Sequence, residues 1–245
     1  MNKKPSTVRK RGTVHRPRKV QQRSWRRRLH FQLARLSLSL ILVTTLPVLA
    51  LRWIDPPITA FMLPSWWSGI DYHWVDREQM APYVALAVIA AEDQRFAYHH
   101  GFDFKAIRQA MADNASGERL RGASTISQQT AKNLFLWRSR NLLRKGLEAW
   151  FTFWLELLLP KARILELYLN IAQLGPNIYG VEAASRHYYG KSARRLTQPE
   201  AALLATVLPN PIRMHVERPS AYVRTRQHWI THQMNQLGLS YLKDL

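Results

Sequence analysis

Cysteine is absent, so disulfide bonds and thiolate metal sites are excluded as organising devices. Acidic residues are missing from residues 1–51, which nevertheless hold thirteen of the 36 Lys and Arg. The remainder of the chain has 23 basic against 16 acidic side chains. Most of the formal net charge of +20 is therefore an N-terminal feature. A basic balance raises nucleic acid or an anionic surface as partners, but charge gathered in one tail says little about the rest. Alternating strand-like stretches are scarce and no internal repeat is found, which points away from a β-rich fold. What remains, in 245 residues of which 47% are hydrophobic, fits one domain plus appendages.

Residues 1–28 are basic and polar, with Pro5 and Pro17, and bury too little apolar surface to fold alone. An apolar run follows from Leu36 to Leu51, bracketed by Arg35 and Arg52. Extended back to Leu29 it reaches the length of about 20 residues that spans a bilayer. Arg35 can snorkel from near one end, and Pro47 is tolerable in a membrane helix. The organisation expected is a basic cytoplasmic tail (1–28), a single-pass anchor (29–51), a juxtamembrane linker (52–79) and a globular domain (80–245). The positive-inside rule keeps the tail in the cytoplasm and sends the domain to the outer face of the inner membrane. Two rivals stand beside an uncleaved anchor. Val48-Leu49-Ala50 resembles a small-residue signal cleavage site, and Arg26-Arg27-Arg28 is a weak twin-arginine lookalike. Trp53, Trp66 and Trp67, interspersed with Pro56, Pro57 and Pro64, fit an extended linker near lipid headgroups and ordinary aromatic packing about equally.

From Val84 onward the periodicity is helical: Val84–Phe96, Ser124–Leu136, Leu142–Leu159, Lys161–Leu169, Val181–Tyr189 and Pro199–Leu208. Gly101, Gly117, Gly122, Pro160, Gly175-Pro176 and Gly190 punctuate them. The fold class expected is mainly α.

Three segments carry candidate chemistry. In the first, Glu92 and Asp93 end an apolar helix, with Phe96 and His99 at spacings that share a helical face with Glu92. A carboxylate held beside an aromatic and away from water suits a general base or acid; spacing alone favours a solvated helix end with a surface ion pair to Arg95. In the second, Ser124 or Thr125 caps a helix that presents Gln128, Gln129, Lys132 and Asn133. Such a start can hold a phosphate or a sugar, or be an ordinary surface helix. Asp113–Arg121 before it is polar, contains Gly117 and reads as a flap. In the third, Arg144 and Lys145 lie about a turn before Glu148 on a helix where, beyond Leu147, the polar residues Glu148, Thr152 and Glu156 form one stripe. A buried acid there needs a partner, and an Arg144–Glu148 pair would serve structure as readily as function. Two separated carboxylates, Glu92 and Glu148, suit glycosyl chemistry, where base and stabiliser roles are divided.

Together the segments resemble the biosynthetic peptidoglycan glycosyltransferases, the family shared by monofunctional transglycosylases and the polymerase domains of bifunctional penicillin-binding proteins. Glu92, Asp93, Phe96, His99 and Gly101 match its first motif. Ser124, Thr125, Ile126, Gln128, Gln129, Lys132 and Asn133 match the second, with Ala123 for a Gly and Ser127 for a Thr. Arg144, Lys145 and Glu148 match the third. Glu166–Asn170, Gly180–Ala184 and Pro199–Leu204 also look like the family.

The resemblance implies a lysozyme-like, two-lobed helical domain that polymerises lipid II. Glu92 would deprotonate the acceptor 4-hydroxyl, and undecaprenyl pyrophosphate would leave with inversion at the donor anomeric carbon. Lys132, Arg144 and Lys145 would stabilise the leaving group. Glu148, the second catalytic carboxylate, would orient them or hold a divalent cation, Mg or Mn; no organic cofactor is implied. Ser124, Thr125, Gln128, Gln129 and Asn133 would shape the donor site, and Asp93, Phe96 and His99 would support the base. Expected partners are lipid II, the lipid-linked glycan chain, the membrane and other cell-wall synthesis or division proteins, with no nucleic acid. A lysozyme-like hydrolase and a basic binding module are the alternatives. The one Ser-x-x-Lys match, Ser240–Lys243, has no later Lys-Thr-Gly, so no transpeptidase activity is expected.

Overall fold

The computed structural model describes residues 12, 19–115, 123–139 and 141–245. The helical periodicity is realised. Among the described residues the chain forms nine α-helices and one small sheet. It divides into two compact units, one ending at Val43 and the other running from Thr44 to Leu245.

Helix α1, Lys19–Ala50, includes an apolar stretch, Trp25–Ala50, long enough to cross a membrane, with a mean hydropathy of 1.9 over its most apolar window. Its large side chains as far as Val43, Phe31 and Leu36 among them, are exposed, as a lipid-facing helix requires. Residues 19–28 are helical, not part of a disordered tail. Once a helix is nucleated, each added residue gains a hydrogen bond for the ordering of that residue alone. The rest of the expected tail, apart from Gly12, and the expected flap beyond Ala115 lie outside the described residues.

The second unit is built on α2, Pro82–Glu92, whose residues Val84 to Ala90 are all buried. A helix apolar on every side must be covered on every side. Helices α8 (Gln198–Val207) and α9 (Ala221–Leu237) pack against it, and so does α6 (Lys161–Ile171). A second group forms around α4 (Ile126–Phe135), which packs on α5 (Leu142–Leu158) and on α6. Two helices with no sequence expectation complete the set around these groups: α3 (Phe104–Ala115) and α9 itself, while α7 (Val181–Tyr189) agrees with its prediction. Strands β1 (Asp71–Tyr72), β2 (Gln173–Gly175) and β3 (Ile178–Tyr179) form a sheet in the order β1-β3-β2, with β1 parallel and β2 antiparallel to β3.

The segment after Arg52 is packed rather than merely extended. Met62, Thr59 and Ser65 are buried, and α6 clamps the chain on either side of them. Asn170 accepts from Val75 N (3.0 Å) and donates to Val75 O (2.9 Å), Glu166 accepts from Arg77 N (3.0 Å), and Arg163 donates to Leu51 O (2.8 Å) and Asp55 (2.7 Å). At the turn into α7, Gly180 has φ +82°, and a Cβ there would lie 2.3 Å from Asn170 O. The downstream motif residues thus hold the scaffold together.

Helix α5 is inverted relative to an ordinary surface helix. Its polar stripe of Glu148 and Thr152 is buried and the Glu156 side chain is only 6% exposed, while Leu142, Leu143, Phe153 and Leu157 are exposed. Trp53, Trp66 and Trp67 are exposed as well. Trp150, on the same helix, donates from Nε1 to Thr44 (3.2 Å), and Arg52 donates to Leu158 O (3.1 Å).

Candidate active site

Helix α2 stops at Glu92, four residues earlier than its periodicity predicts, because Asp93 leaves helical geometry (φ −159°, ψ 73°). Glu92, Phe96 and His99 therefore do not share a helix face. The Asp93 carboxylate is buried and accepts from Ile126 N (3.0 Å), while His99 Nε2 lies 2.9 and 3.0 Å from its two oxygens. An acid placed on the first turn of α4 also meets the positive end of that helix. Asp93 so ties the end of α2 to the start of α4. Phe96, fully buried, packs edge-on against His99 (6.3 Å) and under Lys161 (4.4 Å).

Thr125, not Ser124, is the N-cap of α4. Its hydroxyl accepts from Gln128 N (3.2 Å) and its own N donates to Gln128 Oε1 (3.1 Å), a reciprocal capping box. The same hydroxyl donates to Gly101 O (2.7 Å). Gly101, at φ +81°, lies so close to α5 that a Cβ would come within 2.8 Å of Thr152 Cγ2. Below the cap, Ser127 donates to Glu156, which also holds Lys161 (2.8 Å).

One turn into α4, Gln129 Nε2 donates to Glu92 Oε2 at 2.6 Å. Burial pushes the Glu92 carboxyl above its ordinary value of 4.5, and the neighbouring Asp93 adds to the rise. The Gln129 hydrogen bond and the charges of Arg226 and Lys132 pull it back. A carboxyl raised in this way but kept ionisable by cations is suited to accept a proton near neutrality.

Lys132 is the electrostatic link to the third motif. Burial lowers its ammonium from the ordinary 10.5, and Glu148 opposes that most strongly. Arg144 and Lys145 lower it further, and Glu92 helps to hold it charged. Glu148 itself is 3% exposed; Arg144 donates to one of its oxygens at 2.5 Å and Lys145 to the other. This is the geometry of a buried counterion that organises cations.

The same pairing bears on the metal expectation. Both oxygens of Glu148 are taken by cations, and no group of three His, Asp or Glu suited to a metal exists among the described residues. The donor set at Glu148 does not fit a divalent ion.

A cleft of about 520 Å³ opens beside Glu92. Of the expected residues it brings together Glu92, Asp93, Ser124, Thr125 and Gln129. Phe96, His99, Gln128, Lys132, Asn133, Arg144, Lys145 and Glu148 are not among its walls. Gln128 is committed to the cap, and Asn133 is buried with its Oδ1 unpartnered. Other wall residues were missed by sequence reasoning: Asp103 just before α3, Ala106 and Gln109 on α3, and Arg226 and Trp229 on α9, with the guanidinium 4.1 Å over the indole. Tyr168 lies within the downstream Glu166–Asn170 motif, and its hydroxyl donates to Gln129 Oε1 (3.0 Å). The pairing of Arg and Trp at i, i+3 was the one local signal for the α9 wall, and such pairs are common on surface helices.

A family model described as Transglycosylase matches residues 64–235. The biosynthetic peptidoglycan transglycosylase of Shewanella oneidensis is 52% identical over 225 residues, which are 89% of this chain and 97% of that protein. That of Aeromonas hydrophila subsp. hydrophila is 55% identical over 218 residues, 86% of this chain and 93% of that protein. That of Xylella fastidiosa is 48% identical over 242 residues, 95% of this chain and 98% of that protein. The model covers the helices that build the cleft and the identities run over most of the chain: it belongs to the transglycosylase family.

Proposed function

We propose that the protein polymerises lipid II into peptidoglycan glycan strands at the outer face of the cytoplasmic membrane, with Glu92 as the general base. The observation that carries this is the Glu92 carboxyl: partly buried, raised by that burial, hydrogen-bonded to Gln129 and open to a cleft that would take a sugar. In the reaction, Glu92 takes the proton of the acceptor 4-hydroxyl. The acceptor oxygen attacks the donor anomeric carbon as its bond to the pyrophosphate oxygen breaks. Undecaprenyl pyrophosphate leaves with the bonding pair, and attack from the opposite side inverts the centre. Negative charge grows on the leaving group, and preorganised cations stabilise it. Lys132 is the candidate whose charge acts on Glu92, and it feels Arg144 and Lys145, which Glu148 holds.

A lipid-linked substrate requires a catalytic unit at the bilayer. The apolar helix Trp25–Ala50 supplies an anchor, and the exposed apolar face of α5 with the tryptophans after Arg52 supports contact with the headgroup region. The basic residues before the span support a cytoplasmic N-terminus. The test is conversion of lipid II by the full-length protein in vesicles. Polymer is expected, and Glu92→Gln should abolish it with the thermal transition kept. Full turnover by Glu92→Gln would remove Glu92 as the base, and shortened rather than lengthened strands would mean a hydrolase.

A further inference from the structure

The base is held by an amide, and an amide has two ends. Gln129 gives its NH2 to Glu92 and receives the Tyr168 hydroxyl on its oxygen. We propose that Tyr168, on α6, is a positioning residue that locks the Gln129 amide with its donor end toward Glu92. This rests on the reading of Glu92 as the base.

Turned by half a revolution, the amide would set its oxygen against the Glu92 carboxylate, acceptor against acceptor. That arrangement tolerates only a protonated Glu92. It would also strip the Tyr168 hydroxyl hydrogen of its acceptor at a residue only 1% exposed, and an unpaired buried donor is costly. Burial, with the charges of Glu92 and Asp93 nearby, pushes the Tyr168 phenol well above 10, so it keeps its proton and remains a donor throughout the working range. Tyr168 thus excludes the flipped amide, and only the remaining orientation favours the ionised base. The other groups facing Glu92 are Asp93 beside it, Lys132 on α4 and Arg226 on α9. None of them bonds to the Gln129 amide, so they set the local charge without fixing its orientation.

The experiment is the pH dependence of lipid II polymerisation by the full-length protein in vesicles, each profile normalised to its own plateau. Normalisation makes the position of the acid limb independent of how much protein is folded. Tyr168→Phe should move the acid limb up by about half to one pH unit. Below the limb the rate should fall about three- to tenfold, and on the plateau it should stay within about twofold. Gln129→Leu, which removes the donor itself, should move the limb at least as far, and Tyr168→Phe added to it should move it no further. A limb unmoved by either single variant overturns the proposal, as does an independent further shift in the double variant. A purely structural role would depress the rate equally at every pH and leave the limb in place. If Tyr168→Phe gives no folded protein, the Gln129→Leu limb alone decides. Glu92→Gln separates the two levels. Inactive Glu92→Gln with an unmoved limb sinks only the amide lock, whereas active Glu92→Gln removes the base.

Discussion

Replacing Glu148 by Gln removes one buried charge and exposes what it holds. Breaking a buried ion pair from one side costs about 3–5 kcal/mol, because the surviving charge is left uncompensated. The two partners differ. The Arg144 side chain is only 11% exposed and cannot escape, and its Nε already lacks a partner. Lys145, at 47%, can swing into solvent, so its share is small. The amide oxygen of Gln still accepts one bond from Arg144, which brings the expected loss to about 2–3 kcal/mol. For a folded unit of this size that is a fall in Tm of about 4–12 °C by thermal unfolding. A second consequence is independent of stability. Glu148 is the strongest influence keeping Lys132 charged against burial. Without it the ammonium loses its proton at lower pH, so the alkaline limb of the polymerisation profile should move down. A Tm within about 1 °C of wild type together with an unmoved alkaline limb would refute the reading of Glu148 as the counterion of this cluster.

Other expectations follow from the same geometry. Glu92→Gln should raise stability at neutral pH, since a carboxyl whose folded value lies above 4.5 costs stability once pH climbs through that window; the gain should vanish below pH 4.5, where the carboxyl is protonated in both states. Lys132→Met should lower kcat by about a hundredfold or more with a smaller change in KM, as the loss of a transition-state cation requires. Gly101→Ala forces a side chain to a φ of +81° within 2.8 Å of Thr152, and unfolding should show a loss of about 1–3 kcal/mol. Leu143→Ser with Phe153→Ser should slow polymerisation in lipid vesicles and leave the rate in detergent unchanged, because both side chains are exposed in the folded unit.

The helices of the cleft were legible where apolar periodicity dominates. Helix α7 matches its predicted ends, and α5 and α8 match to within a residue. The end of α2 was not, because Asp93 terminates the helix by capturing a backbone N–H thirty-three residues further on, which no local pattern encodes. The first motif is accordingly not a helical face but two kinds of residue. Glu92 faces the cleft, while Asp93 and His99 fasten one helix to another. Gln128 and Gln129 show the same limit more sharply. They are identical neighbours in sequence, yet one closes a cap and the other meets Glu92. Arg226 and Trp229 were invisible for the related reason that α9 reaches Glu92 only through packing on α2.

On the proposed function, helix α5 joins these points to the membrane. Its sequence shows one polar stripe on an apolar background, which on a soluble protein would face water. Here the stripe faces inward, with Glu148 gathering Arg144 and Lys145, while Leu142, Leu143, Phe153 and Leu157 face out. A water-soluble unit gains nothing from that inversion, since exposed leucine and phenylalanine forgo their burial. It becomes favourable when the outer face meets lipid. A helix is about 10–12 Å across with its side chains, so cations on its inner face lie about that far from whatever covers its outer face. A pyrophosphate tethered to a lipid tail must travel no further than this to reach them. The helix that holds the cations is thereby also the one that sets their depth.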